Sequence, residues 1–268
     1  MHSVVDIDPA RLESVKATYP HLQTYTSMEA LIAQAPIDAV AIATPVHTHF
    51  ELARQAIRNG LHVLIEKPMT HSVETSLQLM ELAEQHGVTL MVDHTFIYNP
   101  AVQKIRSLVE SGELGELYYF DSVRVNLGLF QHDVNVIWDL APHDISIMNY
   151  VLGQLPEAVS AHAAAHVDFS DQPIENLAYL TMVYPNNLIS HIHVNWLAPV
   201  KVRKTLVGGD RKMVVYDDNE PDEKIRVYDK GVDIKPTDKP EKVYETLINY
   251  RTGDMWVPKL SDVEPLFA

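Results

Sequence analysis

Short apolar runs and longer segments of mixed polarity alternate along the first half of the chain, and end signals mark where each helix starts and stops. "SVVDI" (3–7) reads as a strand, and Asp8 with Pro9 supplies an N-cap and a first-turn proline for a helix through about Thr18. Ser27 opens a second helix. "IDAVAIAT" (37–44) is an apolar run of strand length, of the kind buried on both faces of a parallel sheet. In "THFELARQAIRNG", Thr48 and Glu51 have the spacing of a capping box, and Gly60 is the residue past the helix end. "HVLI" (62–65) is the next strand, followed by a helix from about Ser72 to His86 that stops at Gly87. "VTLMVDH" is another strand, and Asn99–Pro100 begins a helix ending near Gly112. This alternation predicts a parallel sheet of βαβ units.

The grammar changes near residue 116. "ELYYFDSVRVN" is a strand, and "WDLAPHDISIMNYVLG" is a helix with Pro142 in its first turn and Gly153 after its end. Strand-like runs then follow one another: "EAVSAHAAAHVDF", "NLAYLTMVY", "LISHIHVNW", "VKVRKTLVGG", "KMVVYD" and "KIRVYD", with "PNN" and "GGD" as hairpin signals. The predicted class is α/β: a parallel sheet in residues 1–98, and an α+β domain with a large, mostly antiparallel open sheet in 99–268. A parallel dinucleotide-binding sheet begins strand, glycine-rich turn, helix. The ten glycines contain no GxGxxG, and Gly112 with Gly115 follows a helix rather than a strand. The pattern therefore enters such a sheet at its second strand, and "LSDVEPLFA" ends without a closing element; the expectation is a chain truncated at both ends.

Composition narrows the class further. A net charge of −15 disfavours a nucleic-acid surface, which needs clustered Lys and Arg. No apolar run is long enough to span a membrane and no secretory signal is visible. The absence of cysteine removes disulfides and thiolate metal sites, which fits a cytoplasmic protein.

The candidate chemistry lies mainly at strand ends, where ligands of open α/β sheets bind. Asp6, ending the first strand, is placed to bind ribose hydroxyls; its charge favours NAD over NADP, with Arg11 softening that preference. It could equally be a solvated capping carboxylate. Thr44, Pro45 and His49 are placed to line a cofactor, although His47 and His49 also form an HxH pair that could suggest a metal. Lys67 follows "HVLI" directly, beside Glu66 and before Pro68, and alone reads as a solvated turn residue. Asp139 and His143 stand at i and i+4 on one helical face, where a carboxylate orients an imidazole as a general base. Asp144 points elsewhere, as a supporting or substrate contact. His162 with His166, and His191 with His193, share sheet faces at even spacing and read as surface or interface residues, so no metal site is expected.

Together, "VVDIDPARL", "AIATPVHTHFELARQAIRNGLHVLIEKPMT" and "WDLAPHDISIMNYVLG" resemble the glucose–fructose oxidoreductase/inositol dehydrogenase/MocA (Gfo/Idh/MocA) family over almost the whole chain. The resemblance implies an NAD(P)-dependent oxidoreductase with a Rossmann domain and a second domain on a large open sheet, whose outer face makes the contact of a homo-oligomer. It matches Lys67 to the family's EKP lysine, Asp139 and His143 to its Asp and His, and Asp6 to its ribose-binding acid. It also matches Thr44, Pro45, His49 and Glu66 to cofactor-lining positions, and Arg124 to a substrate contact. "RVNLGLFQHDVNVIWDLAPHD" is similar to members acting on nucleotide-linked sugars. The implied substrate is a sugar, sugar nucleotide or polyol, whose secondary hydroxyl exchanges a hydride with the nicotinamide. His143 takes the proton and Lys67 stabilises the oxygen. The family's first strand, Gly-rich loop and first helix are missing from the pattern, so this chain alone is expected to bind the cofactor poorly. Two other readings stay open: a metal-dependent hydrolase using His47, His49, His94 and His143, and a non-catalytic binding or assembly subunit.

Overall fold

A computed structural model describes residues 1–128, 130–167, 173–234 and 248–260. The chain divides into two compact units, Met1–Asp93 and His94–Ala268, where the sequence pattern put the division after residue 98.

In the first unit β1 (Ser3–Val5), α1 (Pro9–Thr18), β2 (Gln23–Tyr25), α2 (Met28–Gln34), β3 (Ala39–Ile42), α3 (Val46–Arg58), β4 (His62–Ile65), α4 (Val73–His86) and β5 (Leu90–Val92) alternate. β1 and β2 pair in parallel, and β3, β4 and β5 form a separate parallel sheet in that order. The Asp8 carboxylate accepts from the Ala10 amide at 2.8 Å to start α1, and the Ser72 hydroxyl accepts from the Thr75 amide to start α4. Gly87, at φ +64°, ends α4 in a conformation that costs glycine nothing. α3 departs from expectation. It begins at Val46, after Pro45, with no side-chain cap. Thr48 donates instead to the Pro45 carbonyl and Glu51 pairs with Arg54, so neither is left to form the capping box.

Ile42, Val63 and Ile65 pack with Ala53, Ala56 and Ile57 of α3 and Leu79 of α4 to form this unit's core. β3 is not buried on both faces as its apolarity suggested. Ala39, Ala41, Leu64 (38% exposed) and Met91 (42%) lie on a face that no described residue covers. Strand β2 was not anticipated, because three residues of mixed polarity carry no periodic signal.

The second unit starts with a 3-10 turn (Thr95–Tyr98), followed by α5 (Pro100–Glu110), β6 (Leu117–Leu127), α6 (Val136–Leu152), β7 (Ala158–Ala164), β8 (Leu177–Val183), β9 (Ile189–Asn195), β10 (Leu197–Gly209), β11 (Met213–Asp217), β12 (Ile225–Tyr228), β13 (Gly231–Ile234), β14 (Ile248–Arg251) and β15 (Met255–Trp256). Eight strands form one sheet, ordered β15-β12-β11-β10-β6-β9-β8-β7. Every neighbouring pair is antiparallel except β6 with β9. β13 and β14 pair by themselves. The β8–β9 hairpin turns at Asn186 and Asn187, both at positive φ, which asparagine tolerates better than most residues. α5 and α6 cover the sheet through Ile105, Ile147, Met148, Phe120, Ile192 and Trp196.

Three expectations change here. Asn135 caps α6 and the helix starts at Val136, so Pro142 sits in its interior rather than its first turn. His166 lies beyond the end of β7 and does not share a strand face with His162, while Asp168 and Phe169 of that run fall outside the described residues. Past Leu260, the "LSDVEPLFA" segment is also outside them.

Two glycines test the packing around β10. A Cβ on Gly209 would press into the Leu114 carbonyl oxygen, which is backbone and cannot swing aside. Gly112 has φ +70° but open space around it. Gly112→Ala is expected to cost about 1 kcal/mol and Gly209→Ala about 3 kcal/mol, measured by urea unfolding; equal costs would refute the packing argument.

Candidate active site

In the first unit the strand ends gather the predicted residues. Asp6, just past β1, accepts the Asp8 amide at 2.8 Å through Oδ1, and its Oδ2 lies 3.6 Å from Arg11. The carboxylate is partly exposed at this strand end, with the Arg11 guanidinium beside it. Thr44 and Pro45 are exposed after β3. After β4 the chain runs one ladder bond further, from the Glu66 amide to the Ile42 carbonyl at 2.9 Å, and then turns through a cis Lys67–Pro68 bond. The Glu66 carboxylate accepts the Lys67 amide at 3.2 Å, so it shapes the turn at the same time as it flanks the lysine. Lys67 is half-buried.

His49 is placed differently from its expected role. It is 1% exposed, with Nδ1 3.0 Å from the Pro68 carbonyl oxygen and Nε2 2.8 Å from the Thr44 carbonyl oxygen. Both ring nitrogens are within hydrogen-bonding distance of backbone carbonyl oxygens, so the buried ring is engaged by the chain's own loops, and among the described residues no group of three potential metal ligands forms around it. On the far side of the lysine turn, buried Thr70 donates to the Ser72 carbonyl at 2.7 Å and meets Ser76 and Thr75 at the start of α4. The Lys67 turn is thus held from α3 and from α4.

In the second unit Asp139 lies in the first turn of α6 and His143 one turn on. The Trp196 indole N–H donates to Asp139 Oδ2 at 3.0 Å, and His143 packs edge-on against the Phe96 ring, centroids 4.9 Å apart. Arg124 was expected as a substrate contact and Asp144 as a supporting or substrate contact; the structure engages them with each other, in the supporting arrangement. They are 4% and 2% exposed and face each other, Arg124 Nε to Asp144 Oδ2 at 2.6 Å. Ser122 donates to Asp144 Oδ1 at 2.7 Å, and the guanidinium lies 4.7 Å above the Phe96 ring. A charge buried this deeply is held by its partner, and reaching a substrate would strand the other ion. Phe96 therefore touches both the buried pair and His143.

Sequence reasoning missed Phe96 and Trp196. The tryptophan carried a usable signal, since a buried indole N–H needs an acceptor; Phe96, in a short 3-10 turn, carried none. On α6 next to Asp139 and His143, Trp138, Pro142, Ile145 and Asn149 join His94 and Ile97 around a largely apolar cavity of about 500 Å³. That size and lining suit a small-molecule ligand.

On the outer sheet face, Tyr179 stacks on His193 at 4.3 Å and on His191 at 5.9 Å. Burial pushes His193 below the usual imidazole range, helped by the neighbouring His191 charge. It pushes Asp121 upward, which His191 partly offsets. Among the described residues no three His, Asp or Glu side chains gather as metal ligands, and no helix is long and apolar enough to cross a membrane.

Residues 1–94 match the family described as "Oxidoreductase family, NAD-binding Rossmann fold", and residues 102–215 match the GFO/IDH/MocA C-terminal domain. UDP-N-acetylglucosamine 3-dehydrogenase of Acidithiobacillus ferrooxidans is 33% identical over 163 residues, covering 60% of this chain and 49% of that protein. An oxidoreductase from Magnetospirillum magnetotacticum has a similar fold, with a TM-score of 0.79 and 25% identity over 99% of this chain and 80% of that one. The WlbA dehydrogenase of Bordetella pertussis, solved with NADH and UDP-GlcNAcA, has a TM-score of 0.74 at 19% identity, covering 81% of this chain and 66% of that one. This last likeness is one of fold. The chain spans between 30% and 63% of the length of the first curated relatives it matches.

Breaking the buried pair separates its roles. Arg124→Ala is expected to cost about 3–5 kcal/mol in urea unfolding, while Arg124→Met combined with Asp144→Leu recovers most of it. A single mutant as stable as the parent would show that the pair is not isolated from water.

Proposed function

The chain belongs to the Gfo/Idh/MocA oxidoreductase family, and on that premise we propose that the full-length protein transfers a hydride between NAD and a secondary hydroxyl of a sugar or sugar nucleotide. Bound at the strand ends, NAD supplies the hydride acceptor, C4 of its nicotinamide. The chain's own residues handle the proton and the charge on oxygen. His143 takes the hydroxyl proton as the carbon–hydrogen bond breaks, with Asp139 and the edge of Phe96 setting its orientation. The Lys67 ammonium hydrogen-bonds the same oxygen and stabilises its developing negative charge. In the reducing direction the roles reverse: His143 returns the proton to the carbonyl oxygen that Lys67 polarises.

The observation that carries this reading is the seating of Lys67. It stands at the carboxyl end of a parallel strand, where such sheets bind ligands, in a turn fixed by buried side chains on both sides. A solvated turn lysine would need no such support. The similarity to a UDP-N-acetylglucosamine 3-dehydrogenase favours a nucleotide-linked sugar. Asp6 favours NAD over NADP.

The outer sheet face supports self-association. Ile189 and Val183 are 48% and 41% exposed there, beside the Tyr179–histidine stack. One such face meeting its own copy gives an isologous dimer. Light scattering on the full-length protein should show a dimer or larger species that Ile189→Asp converts to monomer; a monomeric parent excludes it.

In the full-length enzyme Lys67→Ala and His143→Ala should each lower kcat by roughly 10²–10⁴-fold with little change in thermal unfolding. Steady-state assays with NAD and UDP-sugars measure this, and near-parental turnover in either variant removes that residue from the mechanism.

A further inference from the structure

Trp196 is the single residue between β9 and β10, and it is 1% exposed. Its backbone is held on both sides: the amide donates to the Asn176 carbonyl at 3.0 Å, and the carbonyl accepts the Gly128 amide at 3.2 Å. Asn176 is itself fully buried, its side chain accepting the His166 amide and donating to the Val167 carbonyl. The residue before it holds the start of α6. The Glu175 carbonyl accepts the Val136 amide at 3.0 Å, and its carboxylate accepts from the side chain of the capping Asn135 at 3.1 Å. Glu175 and Asn176, just ahead of β8, therefore anchor the head of α6 and the Trp196 backbone side by side. Phe130 lies against the indole, ring centroids 5.6 Å apart. From this seat the indole N–H reaches Asp139 Oδ2 at 3.0 Å. Chemistry fixes the roles in that bond, since an indole N–H only donates and an ionised carboxylate only accepts. Any acceptor would satisfy a buried indole. The one it meets is the carboxylate proposed to orient His143.

We infer that Trp196 is a positioning residue for the Asp139–His143 pair: its N–H pins one carboxylate oxygen to the sheet and so sets the direction in which the carboxylate meets the imidazole. The second side-chain torsion of an aspartate is broad, and a half-buried carboxylate on a helix swings about it unless something stops it. A bond at Oδ2 removes that swing and thereby fixes the line along which Oδ1 points. His143 stands four residues on, the spacing at which side chains of one helix meet. The tie differs in kind from the Arg124–Asp144 contact, which holds α6 as a body; this one holds a single side chain upon it. Its functional meaning rests on the reading of His143 as the base; the tie itself belongs to the second unit alone.

The indole N–H reports the tie in ¹H–¹⁵N spectra of the protein, its signal assigned through the Trp196 backbone. It should move upfield in Asp139→Ala, which removes the acceptor, and stay near its parental position in Asp139→Asn, whose amide oxygen still accepts. A signal indifferent to Asp139→Ala overturns the inference. Both variants keep the indole, so this comparison stands even if Trp196→Phe does not fold. Kinetics test the role. In the full-length enzyme Trp196→Phe keeps an aromatic ring without a donor, and it should lower kcat about tenfold with the KM for NAD changed by less than about twofold. In an Asp139→Ala background the same substitution should change kcat by less than about twofold, because the group it acts through is gone. A residue that only fills space would lower kcat by the same factor in both backgrounds, and that result overturns the inference. Turnover retained in His143→Ala would instead refute the hydride-transfer reading on which the role rests, while the spectra would still report the tie.

Discussion

The buried contact between Arg124 on β6 and Asp144 on α6 sets the geometry of the second unit. Two opposite charges at almost no exposure hold each other in one arrangement, because any slip of the helix leaves an ion without a partner. Apolar packing of α6 on the sheet would tolerate a small rotation; the ion pair, with Ser122 as a further donor, would not. Since Asp139 and His143 ride on the same helix, their direction is fixed by a residue that itself does no chemistry. Phe96 extends the constraint by lying under the guanidinium on one side and against His143 on the other. Pairs of this kind contribute little net stability compared with a well-packed apolar substitute. Their value here lies in register.

The first unit solves a related problem by other means. A parallel strand must hand over to a loop at the point where ligands bind, and loops are the most mobile part of a fold. Around Lys67 the loop is held by polar side chains from the helices before and after it: His49 from α3, and the Thr75 and Ser76 hydroxyls in the first turn of α4, which meet Thr70. Both solutions place precision in buried polar contacts and leave the reactive candidates partly open.

Much of this was legible in the sequence, for identifiable reasons. Asp8, Ser27, Ser72 and Asn99 announced helix starts because a side-chain oxygen must satisfy a free amide there. The same logic failed at Thr48 and Glu51, whose spacing was right but whose side chains found Pro45 and Arg54 first. The resemblance made Arg124 a substrate contact and left Asp144 a supporting or substrate one, and only tertiary packing shows the two charges engaging each other. The partners of His49 were hidden in the same way: they are backbone carbonyls nineteen and five positions away, invisible to side-chain patterning. Apolar runs gave strands reliably but not their environment, as the open face of β3, β4 and β5 shows.

Pro142 in the interior of α6 has a separate effect. Lacking an N–H, it cannot serve the Trp138 carbonyl four residues back, so the helical ladder is one rung short at that point. Proline inside a helix is a recurrent cause of bending, and this one falls on the stretch whose Trp138 and Pro142 border the apolar cavity. The shape of that wall therefore depends on a donor the backbone lacks as much as on the side chains that line it.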